Sequence, residues 1–225
     1  QLSSADLATL GDGAISVSAS ATDAAGNTSA ASTTSFTLDT SAPTAPTLAQ
    51  GTGVAGGATA AEATQASGAV TVNAEAGAST VVTFTNGANT VSKTVTGTGA
   101  AQAVQLSSAD LTTLGNGTIS VSASTTDAAG NTSAAGTTSF TLDTSAPTAP
   151  TLVQGMGVAG GATATEATQA SGVVTVSAEA GTSTTVTFTN GSSTVTKTVT
   201  GTGSAQAVQL SSADLATLGD GAISV

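Results

Sequence analysis

The chain repeats its own sequence with a period of 104 residues, and this repeat limits the fold more than any other feature. The segment that begins QLSSADL at Gln1 returns at Gln105 and again at Gln209, with exchanges mostly among small residues. One period has the length of one small domain, so the chain is organised as a tandem array of similar domains. We expect it to be an internal piece of a longer array.

Composition excludes most of the chemistry that a domain of this size performs. The 225 residues include no Cys, His, Trp or Tyr. Catalysis by histidine or cysteine, imidazole and thiolate metal sites, and disulfides are therefore excluded, and only oxygen ligands remain. The 13 acidic side chains against two basic ones give a formal charge of −11, which excludes nucleic acid as a partner. No apolar run approaches the roughly 20 residues of a membrane-spanning helix and no signal segment opens the chain, so we expect no membrane insertion of this segment.

Short alternating runs of Val, Thr and Ser predict β-strands. They include residues 15–17, 36–38, 70–72 and 82–84, each bounded by Gly, Asn, Asp or Pro. Strands at this spacing predict an all-β fold, with an immunoglobulin-like β-sandwich in each repeat and an elongated array overall. Val81 is replaced by Thr185 in the next repeat while its alternate neighbours stay apolar, so we expect position 81 to face water.

Three local sequence patterns predict a hairpin turn, an edge strand and a helical turn. Asn86-Gly87 predicts a hairpin turn in which a positive φ is required. Lys93 alternates in phase with apolar neighbours, and an inward charge on a short strand is typical of an edge strand protected against aggregation. Ser107, followed three residues later by Asp110, has capping-box spacing and predicts a helical turn that closes one end of the sandwich.

The linkers between repeats are marked by the segment LDTSAPTAPTL, which occurs at Leu38 and at Leu142 and contains the chain's four prolines. It is predicted to lead into a first edge strand, which puts boundaries near Asp39 and Asp143. The predicted domains are the C-terminal part of one repeat (1–38), a complete repeat (39–142) and the N-terminal part of the next (143–225). Either the chain is a window on a longer array, or other chains complete the partial repeats by strand exchange.

Four motifs in one order at this period resemble the bacterial immunoglobulin-like repeats of giant adhesins secreted by the type I (RTX) route and of biofilm-associated surface proteins. They are the LDTSAPTAP linker, AEAG at Ala74 and Ala178, the ADL.TLG.G turn, and TDAAGNTSAA at Thr22 and Thr126. The resemblance covers the whole chain. It implies an extracellular, calcium-stiffened stalk that holds a distal binding domain away from the bacterial cell surface, for adhesion or biofilm formation.

The topology of such a sandwich predicts where acidic residues meet. The start of the first strand, the loop between the second and third strands, and the loop between the last two strands share one pole. Asp39, Glu75, Asp127 and Asn131 occupy these positions and are expected to converge on the junction with the preceding repeat. That repeat is expected to present its own turn there, with Asp6 and Asp12. Neighbouring carboxylates repel one another unless a cation joins them.

Irregular sets of oxygen ligands suit Ca²⁺ better than Mg²⁺, so we predict a Ca²⁺ site at the junction. An extracellular site of this kind binds at roughly 10⁻⁴ to 10⁻³ M, so it would be empty inside a cell and filled outside. The corresponding candidate ligands elsewhere are Asp143 and Glu179 at the next junction, and Asp23 and Asn27 in the first partial repeat.

Local roles are the alternative for each acidic residue. The Asp of each DAAGN motif could satisfy the backbone of its own loop in an Asx-turn, the linker Asp could be a cap, and the Glu of AEAG a solvated charge. For the other repeated acids we prefer turn formation and solubility, with a ligand role at a second junction as the alternative; they are Asp6, Asp110, Glu62 and Glu166. Asp12 has Asn116 as its counterpart, so we expect no indispensable charged ligand there.

Two other functions are weaker interpretations of the same residues. Thr-rich alternation could present a hydroxyl array that binds glycans or ice, but alternating Thr is also the usual outer face of a sheet, and no aromatic platform exists for sugar stacking. Hydrolysis by paired carboxylates needs one acid held neutral in a protected cleft, for which the sequence gives no sign. We therefore expect a mechanical part and not an enzyme.

Overall fold

The computed structural model describes residues 1–225, which form two compact units, Gln1–Thr144 (unit 1) and Ser145–Val225 (unit 2). Unit 1 consists of α1 (Ser4–Leu10), β1 (Gly13–Ala19), β2 (Ser32–Leu38), β3 (Thr47–Gln50), a 3₁₀ turn (Val54–Gly56), α2 (Ala60–Thr64), β4 (Val70–Asn73), β5 (Ser79–Asn86), β6 (Asn89–Thr96), β7 (Ala101–Val104), α3 (Ser108–Leu114), β8 (Gly117–Thr126) and β9 (Gly136–Leu142). Unit 2 consists of β10 (Thr151–Gln154), α4 (Ala164–Ala167), β11 (Val174–Ser177), β12 (Ser183–Asn190), β13 (Ser193–Thr200), β14 (Gln206–Val208) and α5 (Ser212–Leu218).

The complete repeat in unit 1 is a sandwich of two antiparallel sheets. One sheet has the strand order β3-β4-β7 and the other has the order β6-β5-β8-β9. The strands form where the sequence alternates, because a period of two puts every second side chain on the buried face. The predicted all-β sandwich repeat is confirmed, and all four predicted runs lie within strands.

The core of this sandwich is built from the inward positions of both sheets. On β8, Ile119, Val121 and Ala123 are fully buried, while the residues between them face outward. Phe84 on β5 and Phe140 on β9 meet edge to face, with ring centroids 6.5 Å apart and an interplanar angle of 76°. Burying a side chain of this size contributes about 1.5–3 kcal/mol to folding, so the inward alternation is the main stabilising feature of the repeat.

The local predictions for turns and edges are also confirmed. Gly87 has φ of 59° at the tip of the β5–β6 hairpin, where a residue with a side chain would be strained. β6, which carries Lys93, is an edge strand. Val81 is exposed on the outer face of β5. Ser107 and Asp110 form a capping box at the start of α3, which is two turns long instead of one.

The N-terminal part of unit 1 is a helix and a hairpin without a second sheet. β1 and β2 pair antiparallel in the same register as β8 and β9, because the sequences correspond at the 104-residue period. Because no second sheet packs on it, the apolar face of this hairpin is exposed to solvent: Val17 is 43% exposed and Phe36 is 42% exposed.

Unit 2 repeats the first five strands of the sandwich. Its sheets have the strand orders β10-β11-β14 and β12-β13, each antiparallel. Val176, Val186, Phe188 and Leu210 form its core. The predicted repeat boundaries near Asp39 and Asp143 stay predictions, because the compact units divide the chain after Thr144 and not by repeats.

Candidate functional site

The candidate site surrounds the linker residues Asp39, Thr40 and Ser41, which join the N-terminal hairpin to the complete sandwich. No regular element includes them, and the nearby prolines Pro43 and Pro46 are buried against the sandwich. Proline has no N–H to give to a sheet, so this segment stays outside both sheets. Its backbone polar groups must then be satisfied by side chains or water.

Asp12, in the turn between α1 and β1, holds the linker from the side of the preceding repeat. Its Oδ1 accepts hydrogen bonds from the backbone N–H of Thr40 (2.9 Å) and from the Thr40 hydroxyl (2.8 Å). Its Oδ2 accepts one from the Ser41 hydroxyl (2.6 Å). The hydroxyls of Ser41 and Thr40 hold the pKa of Asp12 below its usual value, because they stabilise the charged form.

Asn131, which Asp127 holds in the loop between β8 and β9, contacts the linker from the side of the following repeat. Asp127 Oδ1 accepts hydrogen bonds from the backbone N–H groups of Ala129, Gly130 and Asn131, and Oδ2 accepts one from Asn131 Nδ2 at 3.0 Å. The Asn131 side chain, and then the loop N–H groups, lower the pKa of Asp127. Asn131 Nδ2 also donates to the Asp39 carbonyl oxygen at 3.1 Å, and so ties the loop to the linker.

The amide nitrogen of Asn131 thus lies between a carboxylate oxygen and a main-chain carbonyl oxygen, which is a place where a cation is also favourable. The oxygen and nitrogen of an Asn side chain are assigned from its hydrogen bonds, and turning this amide would present a third oxygen at the same point. Carboxylate, carbonyl and amide oxygens are the donors that Ca²⁺ takes in irregular geometry. The donor chemistry therefore fits Ca²⁺.

The predicted carboxylates are only partly brought together. Asp39 caps its own linker, its Oδ1 accepting from the Ser41 N–H at 3.1 Å, and it meets Asn131 through its carbonyl oxygen and not through its carboxylate. Glu75 lies exposed in the loop between β4 and β5. No group of three acidic side chains is close enough to hold a metal ion between them.

At the next linker the same position is occupied by an amide. Asn116 Oδ1 accepts from the backbone N–H (3.0 Å) and the hydroxyl (2.7 Å) of Thr144, as Asp12 does with Thr40. Asn116 Nδ2 also donates to Asp143 Oδ1 at 3.1 Å. The exchange of Asp12 for Asn116 predicts no charged ligand at this position, but it does not predict the clamp on the linker. The matching Thr that follows Asp at the start of each linker is the signal for it in the sequence.

The remaining candidate ligands have local partners. Asp23 and Asn27 repeat the Asx-turn of the later loop, with Asn27 Nδ2 donating to Asp23 Oδ2 at 2.9 Å. In unit 2, Glu179 Oε2 accepts from the Thr148 N–H at 3.2 Å, which joins this loop to its own linker. The other acids, for which turn formation and solubility were predicted, cap helices: each is the third residue of a helix with a capping box; they are Asp6, Glu62, Asp110 and Glu166.

Similar structures are known. The chain is similar to the crystal structure of a tetra-tandem repeat in the extending region of a large adhesion protein, with 24% identity and a TM-score of 0.38, over 92% of this chain and 51% of the other. It is also similar to a Ca²⁺-stabilised adhesin with which an Antarctic bacterium reaches out and binds ice, with 27% identity and a TM-score of 0.36, over 91% of this chain and 50% of the other. A third is from a 1.5-MDa bacterial ice-binding adhesin, with 26% identity and a TM-score of 0.35, over 94% of this chain and 68% of the other.

The chain spans about half the length of the first two of these structures. No known protein family matches the sequence, and no curated protein matches it. None of the helices is long and apolar enough to cross a membrane.

Proposed function

We propose that this chain is an extender segment in the stalk of a large bacterial adhesin. In this role it lies outside the cell, is exported by the type I route, and projects a distal domain for adhesion or biofilm formation. Its own partners are neighbouring repeats. The segment contributes length and stiffness and performs no catalysis.

The observation that carries this proposal is that one short linker is held from both sides. Asp12 binds Thr40 and Ser41 from the preceding repeat, and Asn131 binds the Asp39 carbonyl from the following repeat. A free linker of small residues would be flexible. Side chains from two successive repeats that bind adjacent residues of one linker limit the angles the junction can adopt, which is what a spacer requires.

We further propose that Ca²⁺ strengthens this junction outside the cell, with Asp127, Asn131 and Asp39 as ligands and Glu75 recruited from its exposed loop. A ligand that binds only the folded state adds about 2.7 kcal/mol of stability when its free concentration is a hundredfold above the dissociation constant. At millimolar Ca²⁺ the free concentration is about one to ten times the dissociation constant of a site of extracellular strength, so the gain there is about 0.4–1.4 kcal/mol.

Small-angle scattering and calorimetry of the 225-residue chain test this proposal together. With Ca²⁺, we expect a higher melting temperature and a longer maximum dimension than with chelator, and Mg²⁺ at the same ionic strength should give little of either effect. An unchanged melting temperature together with an unchanged maximum dimension would refute the calcium mechanism.

The chain supplies a matched pair of variants for this experiment. Asp127→Asn removes a charge from the loop that contacts the linker carbonyl, and Asp23→Asn makes the same change in a loop whose Asn27 contacts no linker. We expect Asp127→Asn to lose most of the calcium response and Asp23→Asn to keep it. Equal loss in both variants would indicate general screening of an acidic chain instead of a junction site.

A direct glycan- or ice-binding module is the alternative function. The two functions differ in what a single repeat can do: a binder retains its affinity when residues 39–142 are produced alone, whereas a spacer shows its property only in tandem. We expect the isolated repeat to bind neither glycans nor ice.

A further inference from the structure

Three asparagines of the chain are each followed by a glycine: Asn86, Asn116 and Asn190. The main-chain nitrogen of the residue after an Asn can attack the carbon of the Asn side-chain amide. Glycine hinders this attack least, because it has no side chain and adopts a wide range of φ. All three pairs are therefore chemically capable of spontaneous conversion to aspartate, and the surroundings of each amide decide which of them reacts.

The surroundings of Asn86 oppose this reaction. Its Nδ2 donates to the carbonyl oxygens of Leu114 (3.0 Å), Gly115 (3.4 Å) and Asn116 (3.1 Å) at the end of α3. Main-chain carbonyl oxygens accept hydrogen bonds but have no proton to give to a leaving amide nitrogen, and the carboxylate formed would face these oxygens without a donor. Asn190 makes the same three contacts at the end of α5.

The amide of Asn116 has different partners. Asn116 is exposed in the turn between α3 and β8, and its Oδ1 accepts from the backbone N–H (3.0 Å) and the hydroxyl (2.7 Å) of Thr144. Its Nδ2 donates to Asp143 Oδ1 at 3.1 Å. A backbone N–H only donates and an ionised carboxylate only accepts, so these partners fix which end of the amide is oxygen and which is nitrogen.

These contacts fall on the atoms at which the bonds change. Two donors on Oδ1 stabilise the negative charge that this oxygen acquires when its carbon is attacked. The Asp143 carboxylate lies beside the nitrogen that leaves, where a carboxyl group can transfer a proton. Gly117 is the first residue of β8 and pairs with Leu142 at the end of the ladder, so the opening of one terminal pair frees the attacking nitrogen.

We propose that Asn116 and Gly117 form a self-modification site, at which the folded chain converts Asn116 to an acidic residue. The Gly117 nitrogen bonds to Asn116 Cγ and closes a succinimide ring, and the proton of that nitrogen passes to the side-chain nitrogen, which leaves as ammonia. One water molecule then opens the ring, and the Gly117 nitrogen regains a proton. Attack of water on the side-chain carbon gives aspartate, and attack on the main-chain carbon gives isoaspartate. Nothing is oxidised or reduced.

The first linker shows that the aspartate product fits this turn. Asp12 is followed by Gly13, and its Oδ1 makes with Thr40 the two contacts that Asn116 Oδ1 makes with Thr144. Asp220 occupies the same position in the third copy of the segment. Conversion to aspartate therefore gives position 116 the residue that the other two copies encode, and it adds one negative charge beside the linker.

Peptide mass spectrometry of the 225-residue chain, kept at neutral pH in water labelled with oxygen-18, measures the conversion at each site. In the folded chain we expect Asn116 to convert at least tenfold faster than Asn86 and Asn190, with heavy oxygen in the product. In denaturant the three pairs should convert at similar rates, because only the local sequence then acts. An Asn116 that converts no faster than the other two in the folded chain would overturn the proposal.

Substitutions at Thr144 test the role of the linker hydroxyl. Thr144→Val removes this donor and keeps the backbone N–H and the shape of the side chain, so we expect Asn116 to convert roughly tenfold more slowly. Thr144→Ser returns the hydroxyl and should restore the rate. Thr40→Val makes the same change in the first linker and should leave Asn116 unaffected. Hydrogen exchange of the Gly117 amide should be the same in all of these chains. A rate that Thr144→Val does not change would contradict the assisted mechanism.

Two further variants test the carboxylate and the turn itself. Asp143→Asn keeps an acceptor beside the Asn116 amide and removes the group that transfers the proton, so the conversion should again slow roughly tenfold. Asp12→Asn transfers an Asn-Gly pair to the first linker, where Thr40 supplies the same two donors. We expect position 12 of this variant to return to an acidic residue at least tenfold faster than Asn86 converts. A stable amide at position 12, or an undiminished rate in Asp143→Asn, would contradict the assignment.

Discussion

The two basic residues of the chain have the same role in two repeats. Lys93 Nζ donates to Asp110 Oδ2 at 2.5 Å, and Lys197 Nζ makes the same contact with Asp214. The same carboxylate oxygen also accepts the N–H and hydroxyl of the residue that caps the helix. An inward lysine on an edge strand therefore serves as an anchor for the helix that closes the sandwich, in addition to protecting the edge.

We predict that Asp110→Asn lowers the stability of the α3 region by about 1–3 kcal/mol, because it leaves a half-buried ammonium group without its counter-charge. Hydrogen exchange of the amides of Ser108–Leu114 measures this loss. Ser107→Ala is the control, since it removes the cap hydroxyl and leaves the ion pair, and about 1 kcal/mol is expected for it. Equal losses in both variants would show that the ion pair adds nothing to the cap.

The same carboxylates give the chain a defined response to acid. Hydrogen bonds from Lys197 and Ser211 lower the pKa of Asp214 from 3.8 to about 2. In Asp110, burial raises the pKa, but the contacts from Lys93 and Ser107 outweigh it and the net shift is downward. A group with a lowered folded-state pKa stabilises fully above its unfolded value and loses this contribution as the pH falls through the folded one.

We therefore predict that the α5 region keeps its protection down to pH 3.8 and loses it progressively as the pH falls toward 2. Lys197→Met keeps the apolar stem and removes the main cause of the shift, so its acid-dependent loss of protection should be smaller and should be complete at a higher pH. Hydrogen exchange across an acid titration checks this. Superimposable profiles of parent and variant would show that the lysine does not set the acid response.

Among the elements, those with a short sequence period were predictable and those that depend on distant contacts were not. The strands follow from alternation, the β5–β6 turn from Asn86-Gly87, and the start of α3 from Ser107 and Asp110. The partner of Lys93 lies 17 residues away in a helix, and no local pattern identifies it. Asn86 was predicted only as a turn residue, yet its side chain also donates to the carbonyl oxygens at the end of α3.

In the candidate site, the positions of the loops were predictable from the sequence and the side-chain contacts were not. The topology of the sandwich correctly put Asp127, Asn131 and the linker at one pole, because loop positions follow from strand order. It could not predict that the backbone of the loop and Asn131 occupy the oxygens of Asp127, or that the clamp on the linker comes from Asp12, 28 residues from Thr40. These contacts depend on side-chain geometry after folding.

At the linker we predict that Asp12→Asn is tolerated and Asp12→Ala is not. Asn116 already makes the same contacts to Thr144 with an amide oxygen, so an acceptor is needed there and a charge is not. Asp12→Ala should accelerate exchange of the Thr40 amide roughly fivefold to tenfold by removing its acceptor. NMR exchange measurements at Thr40 check this, with the amide of Thr144 as the internal reference. If Asp12→Asn also accelerates exchange of the Thr40 amide, the charge of Asp12 is essential. The first linker would then need a charged acceptor, whereas the second is held by the amide of Asn116.

At the scale of the whole molecule, two nearly identical sequences are held in unequal environments. β5 in unit 1 lies between β6 and β8, whereas its counterpart β12 in unit 2 has β13 alone as a strand neighbour. Leu152 and Met156 at the start of unit 2 are 45% and 84% exposed. The sequences of β5 and β12 do not account for this difference in environment. The two units differ in how completely the apolar face of each sheet is covered.

We therefore predict that unit 2 opens at a lower denaturant concentration than the complete sandwich of unit 1, although their strands match almost residue for residue. Hydrogen exchange with mass spectrometry at low protein concentration compares Ser79–Asn86 directly with Ser183–Asn190, and the strand of unit 2 should exchange at least tenfold faster. The covering of an apolar face is worth roughly 25 cal/mol per Å², so the less complete covering of β12 outweighs the few substitutions between the repeats. Equal exchange in the two strands would show that the covering of β12 does not set the stability of unit 2.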